Sequence, residues 1–106
     1  MAMRVIAKRT LRLFWEQHPD AKGPIEAWHA ETLKAMWKTP QEVKARFGSA
    51  SILKGGRVVF NAGGNKYRLV VVIDYGRQAS FVKFVGTHEE YDAIDAQTVQ
   101  HEHSSH

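Results

Sequence analysis

Ser80-Phe81-Val82-Lys83-Phe84-Val85-Gly86-Thr87-His88-Glu89-Glu90-Tyr91-Asp92-Ala93-Ile94-Asp95 decides the fold, because a strand becomes a helix within it. Period-two alternation predicts a strand with Val82, Phe84 and Gly86 on one face and Phe81, Lys83, Val85 and Thr87 on the other. Thr87 and Glu90 then stand at capping-box spacing. A threonine oxygen there accepts from the N–H three residues on, and the glutamate carboxylate reaches back. The strand therefore ends where a short helix begins, and His88, Tyr91 and Asp92, spaced i, i+3 and i+4, share one side of its first turn. An imidazole, a phenol and a carboxylate at a strand mouth suit proton transfer. A half-exposed histidine beside a tyrosine packed back on the sheet is the plainer alternative at this point.

Working backwards, Gly76-Arg77-Gln78 is a turn, Lys66 to Tyr75 a strand, Ala62-Gly63-Gly64-Asn65 a hairpin connection and Arg57 to Asn61 another strand. Three short-linked strands make an antiparallel meander. Alternation sorts Val58, Phe60, Tyr67, Leu69, Val71, Ile73, Val82 and Phe84 onto one apolar face. The opposite face is mixed: Arg57, Val59 and Asn61, then Arg68, Val70 and Val72, then Phe81, Lys83 and Val85. Each strand contributes one cation to it, and His88 emerges at its end. Uncovered by helices, such a face suits a phosphodiester backbone, and it equally suits plain solubility; whether the cations converge depends on register.

The first half is helical. Met3 to Ile6 reads as a short strand, and from about Ala7 Leu11, Phe14 and Trp15 recur at helical spacing until His18-Pro19 stops them. A second helix starts at Asp20 or Gly23, with Pro24 in its first turn and Ile25, Trp28, Thr32 and Met36, joined by Leu33, along one face. Thr39-Pro40-Gln41-Glu42 is another capping box, opening a short helix through Val43 and Phe47 that Gly48 closes. Trp15, Trp28 and Trp37 read as core aromatics covering the sheet rather than as a base-stacking platform. Residues 48–56 read as a loop without the Gly-Lys-Ser/Thr ending of a phosphate-binding P-loop. The expected architecture is α+β: N-terminal helices on one face of a small, mostly antiparallel sheet, with a short C-terminal helix.

The 106 residues suffice for one domain, expected over 1–98, with 99–106 a disordered tail. His101, His103 and His106 in that tail read as a frayed end, so no metal site is expected. Fifteen Lys and Arg against eleven Asp and Glu give a net charge of +4, which weakly favours a polyanionic partner. The absence of cysteine excludes a disulfide scaffold and a thiolate nucleophile. No apolar run reaches membrane-span length and no signal-peptide apolar region opens the chain, so a cytoplasmic protein without membrane contact is expected.

Several strings resemble the HigB family of toxin components. They are Arg4-Val5-Ile6, Trp37-Lys38-Thr39-Pro40, Gly48-Ser49-Ala50-Ser51-Ile52-Leu53, Arg57-Val58-Val59-Phe60-Asn61, Gly64-Asn65-Lys66-Tyr67-Arg68-Leu69 and Phe84 through Asp92. The resemblance runs from about residue 3 to residue 98. It departs at Val72, where the family commonly carries a charged residue, and over the tail. It implies the toxin of a type II toxin–antitoxin pair in the RelE-like group: an endoribonuclease that cuts mRNA on the ribosome, inhibits translation and is silenced by a helix-turn-helix antitoxin of the HigA kind.

Such cleavage needs no cofactor, because the attacking 2′-hydroxyl belongs to the substrate; the protein supplies a proton acceptor, a proton donor and charge at the phosphorane. Among side chains, histidine titrates nearest neutrality, which marks His88 as acid or base. Arg68 and Lys83 are expected to stabilise the transition state, and Tyr91 to orient the phosphate or stack on a base. Asp92 is expected to fix the His88 tautomer, with Arg57, Lys66, Lys54 and Asn61 along the RNA. A non-catalytic RNA- or ribosome-binding module is the alternative, and a pure protein-interaction subunit a third reading.

Overall fold

The computed structural model describes residues 2–6 and 8–99, so the helix start placed at Ala7 and the histidines of the tail lie outside the described residues. In chain order the elements are β1 (Arg4–Ile6), α1 (Lys8–Gln17), α2 (Lys22–Lys34), α3 (Pro40–Arg46), β2 (Ser51–Ile52), β3 (Arg57–Ala62), β4 (Tyr67–Asp74), β5 (Ala79–Thr87) and α4 (His88–Asp92). The five strands lie in the order β1-β5-β4-β3-β2. β1 runs parallel to β5, with Arg4 opposite Ala79, and the other neighbours are antiparallel. This is the expected α+β arrangement, with helices in the first half and a short helix after the last strand.

Helix α1 buries Leu11, Phe14 and Trp15, the residues its spacing singled out. A 3₁₀ turn over Pro19–Ala21 separates it from α2, which buries Ile25, Trp28 and Thr32. The Thr32 hydroxyl donates back to the Trp28 carbonyl at 2.8 Å, so its burial leaves no polar orphan. Met36 departs from expectation. The helix stops at Lys34, Ala35 turns extended, and its carbonyl accepts the Met3 N–H at 2.9 Å. Drawn alongside β1, the chain leaves the helical face, and Met36 is 62% exposed. Before α3, Thr39 accepts from the Glu42 N–H at 3.3 Å with Pro40 in the first turn, but the Glu42 carboxylate accepts from the Lys38 N–H rather than from Thr39, so only the N-cap half of the expected box forms.

The stretch expected to be loop holds a strand. Ser51 and Ile52 pair with Val59 and Val58, and a turn at Lys54–Gly56 then brings the chain into β3. Gly56 adopts φ 77°, and a Cβ there would stand 2.9 Å from the Ile73 carbonyl oxygen, so only glycine fits.

Against the helices the sheet presents Val58 and Phe60 of β3, Tyr67, Leu69, Val71 and Ile73 of β4, and Val82 and Val85 of β5. Phe60 lies at the centre, its ring 5.1 Å from Phe47 and 5.3 Å from Trp28. The tryptophans are core, as expected. Phe84 and Val85 have exchanged faces relative to simple alternation, and a β-bulge is the reason. Val70 pairs with Phe84 while Val71 pairs with Val82, leaving Lys83 without a partner and inverting the parity beyond it.

Nor is the second face left open. Phe84, Val70 and Val59 form a second small core there with Val99, and Leu53, Tyr91, Ile94 and Ala96 pack around it. Residues 93–99 thus return from α4 across the helix-free face as a strap. Its far end is held by Arg57, whose guanidinium donates to the Ala96 carbonyl at 3.2 Å and the Val99 carbonyl at 2.8 Å. Packing therefore reaches Val99, one residue past the expected domain end.

Candidate active site

Strand β5 delivers the chain into α4 by the capping box its sequence announced. Thr87 Oγ1 accepts from Glu90 N–H at 3.1 Å and the Glu90 carboxylate accepts from Thr87 N–H at 2.9 Å. Gly86, just before it, has no room for a side chain: a Cβ would lie 2.5 Å from the Phe84 ring and 2.9 Å from the capping carboxylate of Glu90. The His88 N–H is in turn held by the Lys66 carbonyl at 2.9 Å, which ties the first residue of α4 to the entry of β4.

The His88 imidazole is held at both nitrogens. Nδ1 lies 2.9 Å from an Arg68 guanidinium nitrogen, and Nε2 lies 3.2 Å from the Asp92 carboxylate. Arginine offers only donors, so Nδ1 must accept, and the ring proton sits on Nε2, facing Asp92. The pair suits the tautomer with its proton on Nε2. Arg68 is itself 9% exposed. Its other terminal nitrogen donates to the Asn65 and Tyr67 carbonyls at 3.1 and 3.4 Å, and the guanidinium stands 5.7 Å from the centre of the Tyr91 ring. Tyr91 also packs on the second core, so the cluster and the strap-covered patch share this ring. Asn61 neighbours Arg68 across the ladder.

A brace missed by sequence reading lies beside it. Asp20, in the turn before α2, accepts from the Tyr67 hydroxyl and from the Lys66 ammonium at 2.7 Å. The hydrogen bond from Lys66, then that from Tyr67, holds the Asp20 carboxyl below its ordinary range, and Asp20 in turn pushes Lys66 and Tyr67 upward. No local pattern marks a partner 46 residues away; only the tertiary fold makes it.

The candidates named from sequence thus divide. His88, Arg68, Tyr91 and Asp92 come together, with Asn61 beside them and the exposed Lys66 ammonium engaged by Asp20. Arg57 is 8% exposed and occupied by the strap, and Lys54 lies in the turn near that end. Lys83, at the bulge, has its ammonium 6.0 Å from the centre of the Phe81 ring. Among the described residues no three His, Asp or Glu side chains converge as metal ligands, and no helix is long and apolar enough to cross a membrane.

Helices followed by a small sheet, with a polar cluster where the last strand enters α4, are consistent with a RelE-like fold. The family profile described as HigB toxin, RelE-like toxic component of a toxin-antitoxin system, matches residues 21–94. The mRNA interferase toxin HigB of Escherichia coli K12 is 32% identical over 96 residues, covering 89% of this chain and 92% of that protein. The mRNA interferase HigB of Shigella flexneri matches to the same extent, and that of Escherichia coli O6:H1 is 23% identical over 94 residues, 87% of this chain and 91% of the relative. The chain belongs to the HigB toxin family. Membership of a toxin–antitoxin family implies an antitoxin partner.

Proposed function

We propose that this chain is an mRNA endoribonuclease, the toxic half of a type II pair, cutting messages on the ribosome in the cytoplasm and so arresting translation until a HigA-like helix-turn-helix antitoxin silences it. The relatives' activity, mRNA interferase, supports the substrate. The single structural observation that carries the chemistry is the His88 imidazole held between Arg68 and Asp92.

The reaction uses the substrate's own 2′-hydroxyl as nucleophile. Its oxygen attacks the neighbouring phosphorus, its proton passes to a base, and the leaving 5′-oxygen takes a proton as the P–O bond breaks. An arriving phosphate competes for the Arg68 guanidinium, and its transfer from Nδ1 to a phosphoryl oxygen frees the imidazole lone pair to accept a proton. Asp92 keeps the other ring proton in place. Arg68 offsets the phosphorane charge, and Tyr91 orients the same phosphate. Positioned acid–base groups contribute about 100- to 10,000-fold each, so a cluster this small suffices. Asn61 and Lys66 flank the RNA, the exposed Lys66–Asp20 pair being weak enough to exchange for a phosphate.

Mapping 5′ ends of cellular mRNA after expression tests this. The parent chain is expected to create cuts that vanish with a translation inhibitor, and His88→Ala to lose about 100-fold or more in cleavage while staying folded. Cleavage retained by His88→Ala removes histidine from the chemistry. Message binding without cuts by the parent turns the reading to a non-catalytic RNA- or ribosome-binding module.

A further inference from the structure

The strap divides the helix-free face into two halves. Over β3 and β4 it covers Val59 and Val70 and ends on Arg57. On the far side, one row across the sheet stays partly open: Ile6 of β1, Phe81 of β5 and Val72 of β4 are register partners, Ile6 is 40% exposed, and the other two are half-buried. Cations flank that row. Arg4, two residues before Ile6 and on the same side of β1, is exposed, and the Lys83 ammonium stands over the Phe81 ring. As the unpaired residue of the bulge, Lys83 is free of the ladder that would fix its direction. Asp74, two residues beyond Val72 on β4, is occupied by Arg77, accepting its backbone N–H at 3.0 Å.

A partly exposed aromatic ring on a partly open sheet face, with a cation beside it, is the arrangement that holds unpaired bases: the ring takes the base and the cation the adjoining phosphate. Arg68 lies on the same face of β4, four residues from Val72, so the two places are about 13 Å apart along the sheet. We propose that Phe81 and Lys83 form a nucleotide-binding subsite for single-stranded RNA, in which one base stacks on Phe81 while Lys83 swings from the ring to that nucleotide's phosphate. This rests on the RNA-cleaving reading and adds to it a place where the message is gripped away from the scissile bond. Lys83 thereby acts in substrate binding, and Arg4 borders the strand's path. An acidic protein segment is less well matched, since Phe81 offers a flat ring where a peptide side chain requires a pocket.

The test uses the full chain carrying His88→Ala, so that RNA stays intact, with ribosomes programmed by short messages that hold 2-aminopurine at successive positions near the cut. One position is expected to lose fluorescence on binding. Adding Phe81→Leu, which keeps the apolar bulk, is expected to abolish that quenching and weaken binding by about 5- to 150-fold, the worth of one stacked base. Phe81→Tyr restores both, and Lys83→Gln flattens the log–log salt dependence by about 0.7 relative to its parent. Failure of the parent to bind overturns the RNA-cleaving reading and the subsite with it. Binding that Phe81→Leu leaves equally tight and equally quenched overturns the subsite alone. Loss of antitoxin capture by Phe81→Leu with message binding intact also overturns it, assigning the patch to the protein partner.

Discussion

The two faces of the sheet are built on different principles. Beneath the helices, the side chains of β3 and β4 alternate regularly and the layer packs aromatic on aromatic, with Phe60 among Trp28, Trp37 and Phe47. On the other face the apolar patch is small, two arginines are nearly buried, and the cover is a strap fastened by hydrogen bonds to one guanidinium. The first face needs only apolar volume in the right period. The second needs individual polar partners, and it is where His88 sits. Stability is thereby concentrated on one side and chemistry on the other.

Removing the centre of the helix-covered face is expected to have the largest effect. Phe60→Ala should cost about 3–5 kcal/mol in denaturant unfolding, lowering the midpoint without changing the layout of the His88 cluster in the molecules still folded. A loss below about 1 kcal/mol would mean that face is not the principal core. Next comes the fastening of the strap. Arg57→Met leaves the Ala96 and Val99 carbonyls without their charged donor, an expected loss of about 1.5–3 kcal/mol, together with faster amide exchange over 93–99. Arg57→Lys should recover part of it, because one terminal nitrogen of the guanidinium makes both bonds and an ammonium also carries several donors on one nitrogen. Unchanged exchange in the strap would separate Arg57 from that role.

Thr87→Ala is smaller in stability, about 1 kcal/mol, because it removes the N-cap of α4 while Glu90 remains. Cleavage should fall further than this figure suggests, since α4 positions His88 and Asp92, and Thr87→Ser should restore both. Smallest is the brace at Asp20. A carboxyl held low in the folded state contributes stability above its ordinary value of 3.8, and that contribution is lost as pH falls through the lowered folded value. Melting followed into that acid range should thus show a steeper decline for the parent than for Asp20→Asn. Parallel declines would remove the brace from the acid response.

Much of this was legible beforehand, and what escaped has particular causes. The apolar parity of β3 and β4, the Thr39 N-cap and the Thr87–Glu90 capping box follow from local chemistry, so sequence alone located α4 and placed His88, Tyr91 and Asp92 on one turn. The bulge at Lys83 has no comparable signature. A strand of alternating Phe, Lys, Phe and Val reads as continuous, and the missed residue inverted Phe84 and Val85. Arg57, expected along RNA, proved to be enclosed because the strap that encloses it is composed of short-range turns with only Ile94, Ala96 and Val99 to anchor it. The Arg68–His88 contact depended on register, and register is a property of pairs of strands.

The parallel pairing of β1 with β5 has a consequence for how the molecule comes into being. Arg4 and Ala79 are 75 positions apart (79 minus 4), the longest reach in the sheet. A chain synthesised from its amino terminus must hold its first strand unpaired until nearly everything else has been made. His88, Tyr91, Asp92 and the strap come later still. A polypeptide that stops before Ala79 therefore has no partner for β1, one that stops before Asp92 lacks the assembled His88 cluster, and one that stops before Val99 lacks the fastened strap.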